Sequence, residues 1–364
     1  MSLCLFVTIL YNMIDTISGL KPYISITDEE AETIELVGAR YPWRLTGYYA
    51  SLMDPVDRAC PIRRQAVPTG DELRQSFGGS DPLAEEANSP VPGVIRVYPD
   101  RIAVVVTNRC PVYCRHCLRK RFDRSGLADL RGKRLENVLA YIRADASIRD
   151  VLLTGGDPLM FDDGELDTLL GELRSMPHIE ILRIGTRAPC TWPERVTDDF
   201  ADMIASHHPV WVSTQFNHPR EITPASVEAI ERLLRRGIPV NNQSVLLRGV
   251  NDSLETMRTL VRELVRMRVR PYYLYQAQTL AGTEHFVTPV EKGLEIIRGL
   301  RGWTTGFAVP QYVLDTPFGK IPLNPQYIRG RRGDYFEVVS YRGNVWREYN
   351  PVIHHQPDSE TVIP

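Results

Sequence analysis

Cysteine is sparse, six residues in 364, and three of them, Cys4, Cys60 and Cys190, stand alone. That distribution excludes a secreted scaffold held by disulfides and points to a reducing, cytoplasmic setting. Neither sign of charge dominates. With 43 Lys and Arg against 45 Asp and Glu, the net charge of −2 provides no field to draw the chain onto phosphate backbones, and nucleic acid is not an expected partner. Long apolar runs are also missing. The opening MSLCLFVTILYNMI is too short to span a bilayer and lacks a basic n-region and a small-residue cleavage pattern. It reads as a frayed or packed extension, with no membrane partner. Repeats at solenoid period and low-complexity segments are absent as well. The remaining composition, 43% hydrophobic and 24% charged, is that of a globular protein whose length is normal for an α/β barrel.

Three segments can be told apart. Residues 1–95 are irregular and Pro-rich, with a helical stretch around ITDEEAETIELVGARYPW, and read as a wrapping segment. Residues 96–305 alternate short apolar runs (RIAVVVTN, VLLTGG, ILRIGT, VWVSTQF, PVNNQSVLL and RPYYLYQ) with amphipathic stretches such as ASVEAIERLLRRG and SLETMRTLVRELVRM. Such alternation implies parallel strands joined by right-handed crossovers. Six units are too few for an eight-fold barrel, so the expected fold is α/β, a partial (β/α)6 TIM-like barrel or an open parallel sheet. The polar segments that follow the strands are the expected site. Residues 306–364 form a C-terminal extension with two further strand candidates, DYFEVVSYRG and NVWREYNP.

The remaining cysteines follow the first apolar run as Cys110, Cys114 and Cys117, at spacing Cys-x3-Cys-x2-Cys and among basic residues. One reading is inert packing. Another is zinc completed by His116, although zinc sites usually come as paired Cys-x2-Cys elements and no second pair occurs. A third is a [4Fe–4S] cluster whose fourth iron has no protein ligand and can hold a small molecule. The turn at Gly155, Gly156 and Asp157 follows the second run and lets backbone approach a ligand closely. Near the end, Lys320 lies five residues after Asp315 in LDTPFGKIPLNP; a lone lysine in such a loop is usually only solvated.

Taken in order, YPDRIAVVVTNRCPVYCRHCLRKRF, TGGDPL, RIGTRAP, FNHPREIT, NQSVLLRGVND, RPYYLYQ, EHFVTPVEKGLEIIRGLRG and LDTPFGKIPL resemble the lysine 2,3-aminomutase family, within the radical S-adenosylmethionine (SAM) superfamily. The resemblance runs from about Ile26 to the Lys320 loop. It implies a radical SAM type of partial barrel, with Cys110, Cys114 and Cys117 on the cluster and the Gly155-Gly156-Asp157 turn at the amino group of SAM. It also implies pyridoxal 5′-phosphate (PLP) held by Lys320 as a Schiff base. Tyr98, Arg101, Gln243 and Tyr275 fall at positions expected around PLP and its phosphate.

Within that resemblance, Arg119 takes the substrate carboxylate and Asp315 takes the distal ammonium of a lysine-like substrate. The second family aspartate is replaced by Gln278, so arginine stands as a rival to lysine, while glutamate would set its distal carboxylate against Asp315. Gln215 stands where members commonly have histidine. Ser253 replaces the internal cysteine of a subunit-bridging zinc, so an expected homo-oligomer would form without that metal. The implied partners are a free basic amino acid and a reductant such as flavodoxin or ferredoxin. Elimination or epimerisation, the related enzymes that make β-lysine for an elongation factor, and a zinc-binding interaction module without catalysis remain as alternatives.

Overall fold

The computed structural model describes residues 13–74, 78–120, 127, 129–333, 335–340 and 342–349. The opening extension with Cys4, and the end of the basic run at Arg121 and Phe122, lie outside them.

Nine strands form one sheet in chain order. They are β1 (Val94–Ile95), β2 (Arg101–Thr107), β3 (Asp150–Gly155), β4 (Ile181–Gly185), β5 (Val210–Thr214), β6 (Val240–Leu246), β7 (Arg270–Gln276), β8 (Gln311–Thr316) and β9 (Gly319–Pro322). Strands β2 to β8 are mutually parallel, and β1 and β9 pair antiparallel at the two edges. Sequential parallel strands need crossovers, and helices supply them. After the N-terminal helix α1 (Asp28–Arg40), these are α2 (Gly132–Ala144), α3 (Asp163–Arg174), α4 (Asp198–Ala205), α5 (Pro224–Arg235), α6 (Leu254–Arg266) and α7 (Val290–Leu300).

Strand β2 shows why this sheet is an interior one. Val104, Val105 and Val106 are consecutive and all buried, although successive residues face opposite sides. Only a strand covered on both faces accepts such a run. The helices supply the cover through one apolar face each. In α6, Met257, Leu260, Val261 and Leu264 are buried at helical spacing, and the Ser253 hydroxyl accepts from the Thr256 amide to start the helix. Each buried side chain of that kind contributes about 1.5–3 kcal/mol, and Leu260→Ala would cost about 2–5 kcal/mol.

The six expected strand–helix units are all present, and the partial barrel holds. The sheet continues past them, however. Strands β8 and β9 lie in the stretch expected as a C-terminal extension, and β8 adds a seventh parallel strand beside β7. Pro310, Pro317 and Pro322 bracket these short runs and mask their strand character in the sequence. Pro322 is tolerated because β9 is an edge strand. Beyond it, Ile328–Arg332, Tyr335–Val339 and Val345–Tyr349 form a separate antiparallel sheet, of which the last two strands were expected. The wrapping segment contributes α1, opened by a Thr27–Glu30 capping box, and packs Tyr49, Gln65 and Glu72 into the interior.

Candidate functional site

All three cysteines lie in the loop that leaves β2, and the loop is fixed by its basic residues. The Arg115 guanidinium donates to both carboxylate oxygens of Glu72 (3.0 and 2.5 Å) and to the Tyr41 and Pro42 carbonyls. The Lys120 ammonium donates to Glu72 Oε2 at 2.6 Å and to the Gly282 carbonyl at 2.8 Å. Burial works against ionisation of Glu72, but Arg115 and Lys120 outweigh it and hold the carboxyl below its ordinary range. Arg119 meets Glu85 side-on, with Nε at 3.0 and 3.1 Å and Nη2 at 2.8 Å, while Nη1 donates to the Thr154 hydroxyl at 3.2 Å. Arg115, Arg119 and Lys120 are therefore held by carboxylates of the wrapping segment, while Arg109 pairs with Asp129.

Beneath the loop lies a buried polar network. Arg187, just after β4, donates from Nη1 to Cys114 Sγ at 2.9 Å, from Nη2 to Glu221 Oε1 at 2.6 Å and to Gln65 Oε1 at 2.8 Å, and from Nε to the Gln215 carbonyl at 3.1 Å. Tyr49 donates to Glu221 at 2.6 Å, and the Asn217 amide side chain donates to Gln65 at 2.9 Å. Gln215 and Asn217 both face His116 Nε2, at 3.0 and 3.3 Å. Burial, then Arg187, push His116 well below the ordinary imidazole range, so the ring is neutral. With amide N–H groups on Nε2, its proton belongs on Nδ1, which is buried without a hydrogen-bond partner among the described residues.

These features bear on what the cysteines can hold. No three His, Cys, Asp or Glu side chains among the described residues group closely enough to ligate a single metal ion. Zinc through His116 has a further obstacle, since Nε2 is engaged by Gln215 and Asn217. A cubane cluster takes its three thiolates on three different irons, farther apart than the ligands of one ion, and a loop with three thiols and an engaged His116 fits it. Burial, then Cys114, raise the Cys117 thiol, so its thiolate forms once metal charge is beside it. The Arg119 backbone amide already donates to Cys117 Sγ at 3.4 Å.

The residues expected around PLP converge where the start of β2 meets the hairpin at the far edge of the strand order. In the β8–β9 hairpin Asp315 and Lys320 are direct cross-strand partners, and Lys320 Nζ lies 3.4 Å from Asp315 Oδ2. The Lys320 amide donates to the Tyr98 hydroxyl at 2.8 Å. Gly319, at φ +107, brings the hairpin so close to Tyr98 that a Cβ there would stand 2.7 Å from its oxygen. The Arg101 guanidinium stacks 3.7 Å above the Tyr98 ring. From β7, the Tyr275 ring lies 5.8 Å from Lys320 Nζ, and its hydroxyl donates to Gln243 Oε1 at 3.1 Å. Burial, then Asp315, keep that phenol protonated. Gln278 donates to the Asp315 backbone carbonyl at 2.8 Å. An amine, a stacked cation and two aromatic rings in one place fit an aldehyde-bearing phosphate cofactor.

Other expected residues have structural duties. A Cβ on Gly155 or Gly156 would stand 2.4 Å from the Thr107 carbonyl oxygen or 2.1 Å from that of Arg109, so these glycines let the turn close on the cysteine loop itself. Asp157 is buried and accepts from the Leu159 amide, the Thr186 hydroxyl and the Arg187 amide. Its carboxylate is engaged within the protein. Ser253 caps α6, a sufficient local reason for that residue. The sequence reading missed Arg187, Glu221, Gln65 and Glu85. The available signal was charged residues in the RIGTRAP and FNHPREIT segments, directly after strands.

Residues 104–261 match the Radical SAM superfamily, the class that this partial barrel and cysteine loop define. Residues 297–363 match the family description Lysine-2,3-aminomutase. An L-lysine 2,3-aminomutase of Bacillus subtilis is 44% identical over 98% of this chain and 74% of its own length. Another, of Clostridium subterminale, is 44% identical over 94% of this chain and 83% of its own. A glutamate 2,3-aminomutase of Clostridioides difficile is 42% identical over 92% and 80%. The chain belongs to the lysine 2,3-aminomutase family. It is a radical SAM aminomutase, an isomerase, and its class works with a [4Fe–4S] cluster and SAM. No helix among the described residues is long and apolar enough to cross a membrane.

Proposed function

We propose that the chain moves the α-amino group of free L-lysine to the β-carbon, with a [4Fe–4S] cluster on Cys110, Cys114 and Cys117, SAM at the open iron, and PLP on Lys320. The observation that carries the choice of substrate is the Asp315 carboxylate beside Lys320 Nζ, with Gln278 on its backbone carbonyl. A carboxylate at that point favours a distal cation. A glutamate 2,3-aminomutase is among the relatives, but a glutamate side chain would set carboxylate against carboxylate here. Arginine is the second reading, favoured by Gln278, whose neutral amide suits a guanidinium as well as an ammonium.

When bound, the cofactors supply the radical and the means for nitrogen to migrate. The residues supply placement. Arg119, held in orientation by Glu85 and Thr154 next to the cysteines, is the group for the substrate carboxylate. Arg101 on Tyr98 offers a cation for a phosphate, and Gln243 orients Tyr275 against Lys320. Lys320 Nζ is the amine that would hold the cofactor aldehyde, and the Asp315 carboxylate 3.4 Å away would stabilise that amine in its protonated form. A low-potential one-electron donor such as flavodoxin or ferredoxin serves as reductant, and any homo-oligomer forms without the bridging zinc.

Anaerobically reduced protein supplied with SAM and PLP is incubated with lysine, arginine, ornithine or glutamate, and β-amino acids are resolved by chromatography. β-Lysine is the expected major product. Product from none of the four would reject the reading, and labelled α-nitrogen released as ammonia would replace migration by elimination.

A further inference from the structure

The Arg187 guanidinium is oriented in a way that a structural ion pair does not require. Its pairing with Glu221 uses Nη2, and the same nitrogen reaches Gln65 Oε1 and, at 3.3 Å, the Tyr49 hydroxyl. Nε is held by the Gln215 carbonyl. Four acceptors, two from the wrapping segment and two from the loop after β5, thus fix the plane of the guanidinium, and Nη1 is left directed at Cys114 Sγ, 2.9 Å away. The side chain is 9% exposed and Glu221 is 0% exposed, so water and salt do little to screen either charge from the sulfur.

We propose that Arg187 is a positioning residue that sets the reduction potential of the cluster through its charged hydrogen bond to the Cys114 sulfur, with Glu221 as the opposing control. This rests on the reading of Cys110, Cys114 and Cys117 as the cluster ligands. Reduction adds one electron from an external low-potential one-electron donor and makes or breaks no bond. A donor on a ligating sulfur draws off electron density, and a buried positive charge favours the more negative, reduced state. The Glu221 carboxylate, on the far side of the same guanidinium, offsets part of that charge. Removing the Arg187 hydrogen bond therefore makes the cluster harder to reduce, and neutralising Glu221 makes it easier. The two effects have opposite sign, which a general loosening of the loop cannot reproduce.

The test uses the full chain, reconstituted anaerobically with iron and sulfide and titrated without SAM, with the reduced cluster followed by electron paramagnetic resonance. Iron and sulfide are counted per chain first. Folded wild-type protein that retains no cluster would reject the cysteine reading before any variant is made. R187M/E221Q removes the hydrogen bond while keeping the network neutral, and should lower the reduction equilibrium constant about tenfold, ~59 mV for one electron. E221Q alone should move the midpoint the other way. R187K keeps the charge without the fork and should fall between wild type and the double variant. If the double variant fails to load, R187K and E221Q decide the matter. Loaded variants that all share the wild-type midpoint, or that all shift in one direction, would overturn the proposal.

Discussion

The cysteine loop after β2 and the Lys320 hairpin at β8–β9 belong to one sheet but are held by different means. The loop is internal, and its basic residues are closed over by Glu72 and Glu85 of the wrapping segment, with Glu72 0% exposed. The hairpin lies at an edge, its Asp315–Lys320 pair is 16% and 29% exposed, and neutral groups hold its backbone, the Tyr98 hydroxyl at Lys320 and the Asn88 amide at Pro317. Breaking a buried ion pair strands a charge, whereas a partly exposed pair contributes little. One half of the site is thus built before any ligand arrives. The other is held loosely enough for its lysine to change partners.

The largest effect should come from Lys320→Ala. Turnover falls below detection and borohydride no longer fixes PLP to the chain, yet iron content and thermal stability match wild type. Loss of iron along with PLP would show that the two regions are one cooperative unit.

Next is Glu72→Ala, which leaves Arg115 and Lys120 buried without their carboxylate and should cost about 3–5 kcal/mol in denaturant unfolding. Asp315→Ala should cost less than about 1 kcal/mol in the same assay and instead raise the KM for lysine. Equal costs would remove the contrast.

Gln278→Asp restores a second carboxylate beside the distal group and should lower the KM for lysine about tenfold, or ~1.4 kcal/mol, while loss of the hydrogen bond to the Asp315 carbonyl costs about 0.5–1.5 kcal/mol of stability. An unchanged KM would place the distal group elsewhere.

The smallest effect concerns pH. His285, stacked on Phe286 next to the cysteine loop, is pushed down to about 4, chiefly by burial. Between its unfolded value near ~6.5 and 4, the unfolded chain binds a proton that the native state refuses, so stability falls as pH falls through that window. His285→Asn should flatten the melting-temperature profile from pH 7 to 5 relative to wild type. An unaltered slope would assign the acid sensitivity to other groups.

Much of the structure around the cysteine loop could be read in advance. Val104 to Val106 marked an interior strand, and three cysteines at close spacing marked the loop after it. The lysine half was legible only through resemblance, because Pro310, Pro317 and Pro322 disguise two strands as an irregular tail. The meeting of Arg187 with its partners escaped entirely. Tyr49, Gln65, Cys114 and Glu221 come from four distant parts of the chain, and no local pattern records that they meet. Arg119 was read as a substrate-binding residue from its position; the carboxylate that orients it, Glu85, sits 34 positions earlier in a loop with no periodic signal.

The direct pairing of Asp315 with Lys320 makes the turn between them a measure of chain length. Successive residues of a strand face opposite sides, so one residue inserted into Pro317–Phe318 would turn the amine to the wrong face, whereas two would restore the face but shift its height. Variation among relatives should therefore be tolerated far less in the spacing of this turn than in the identity of Phe318, which is 92% exposed.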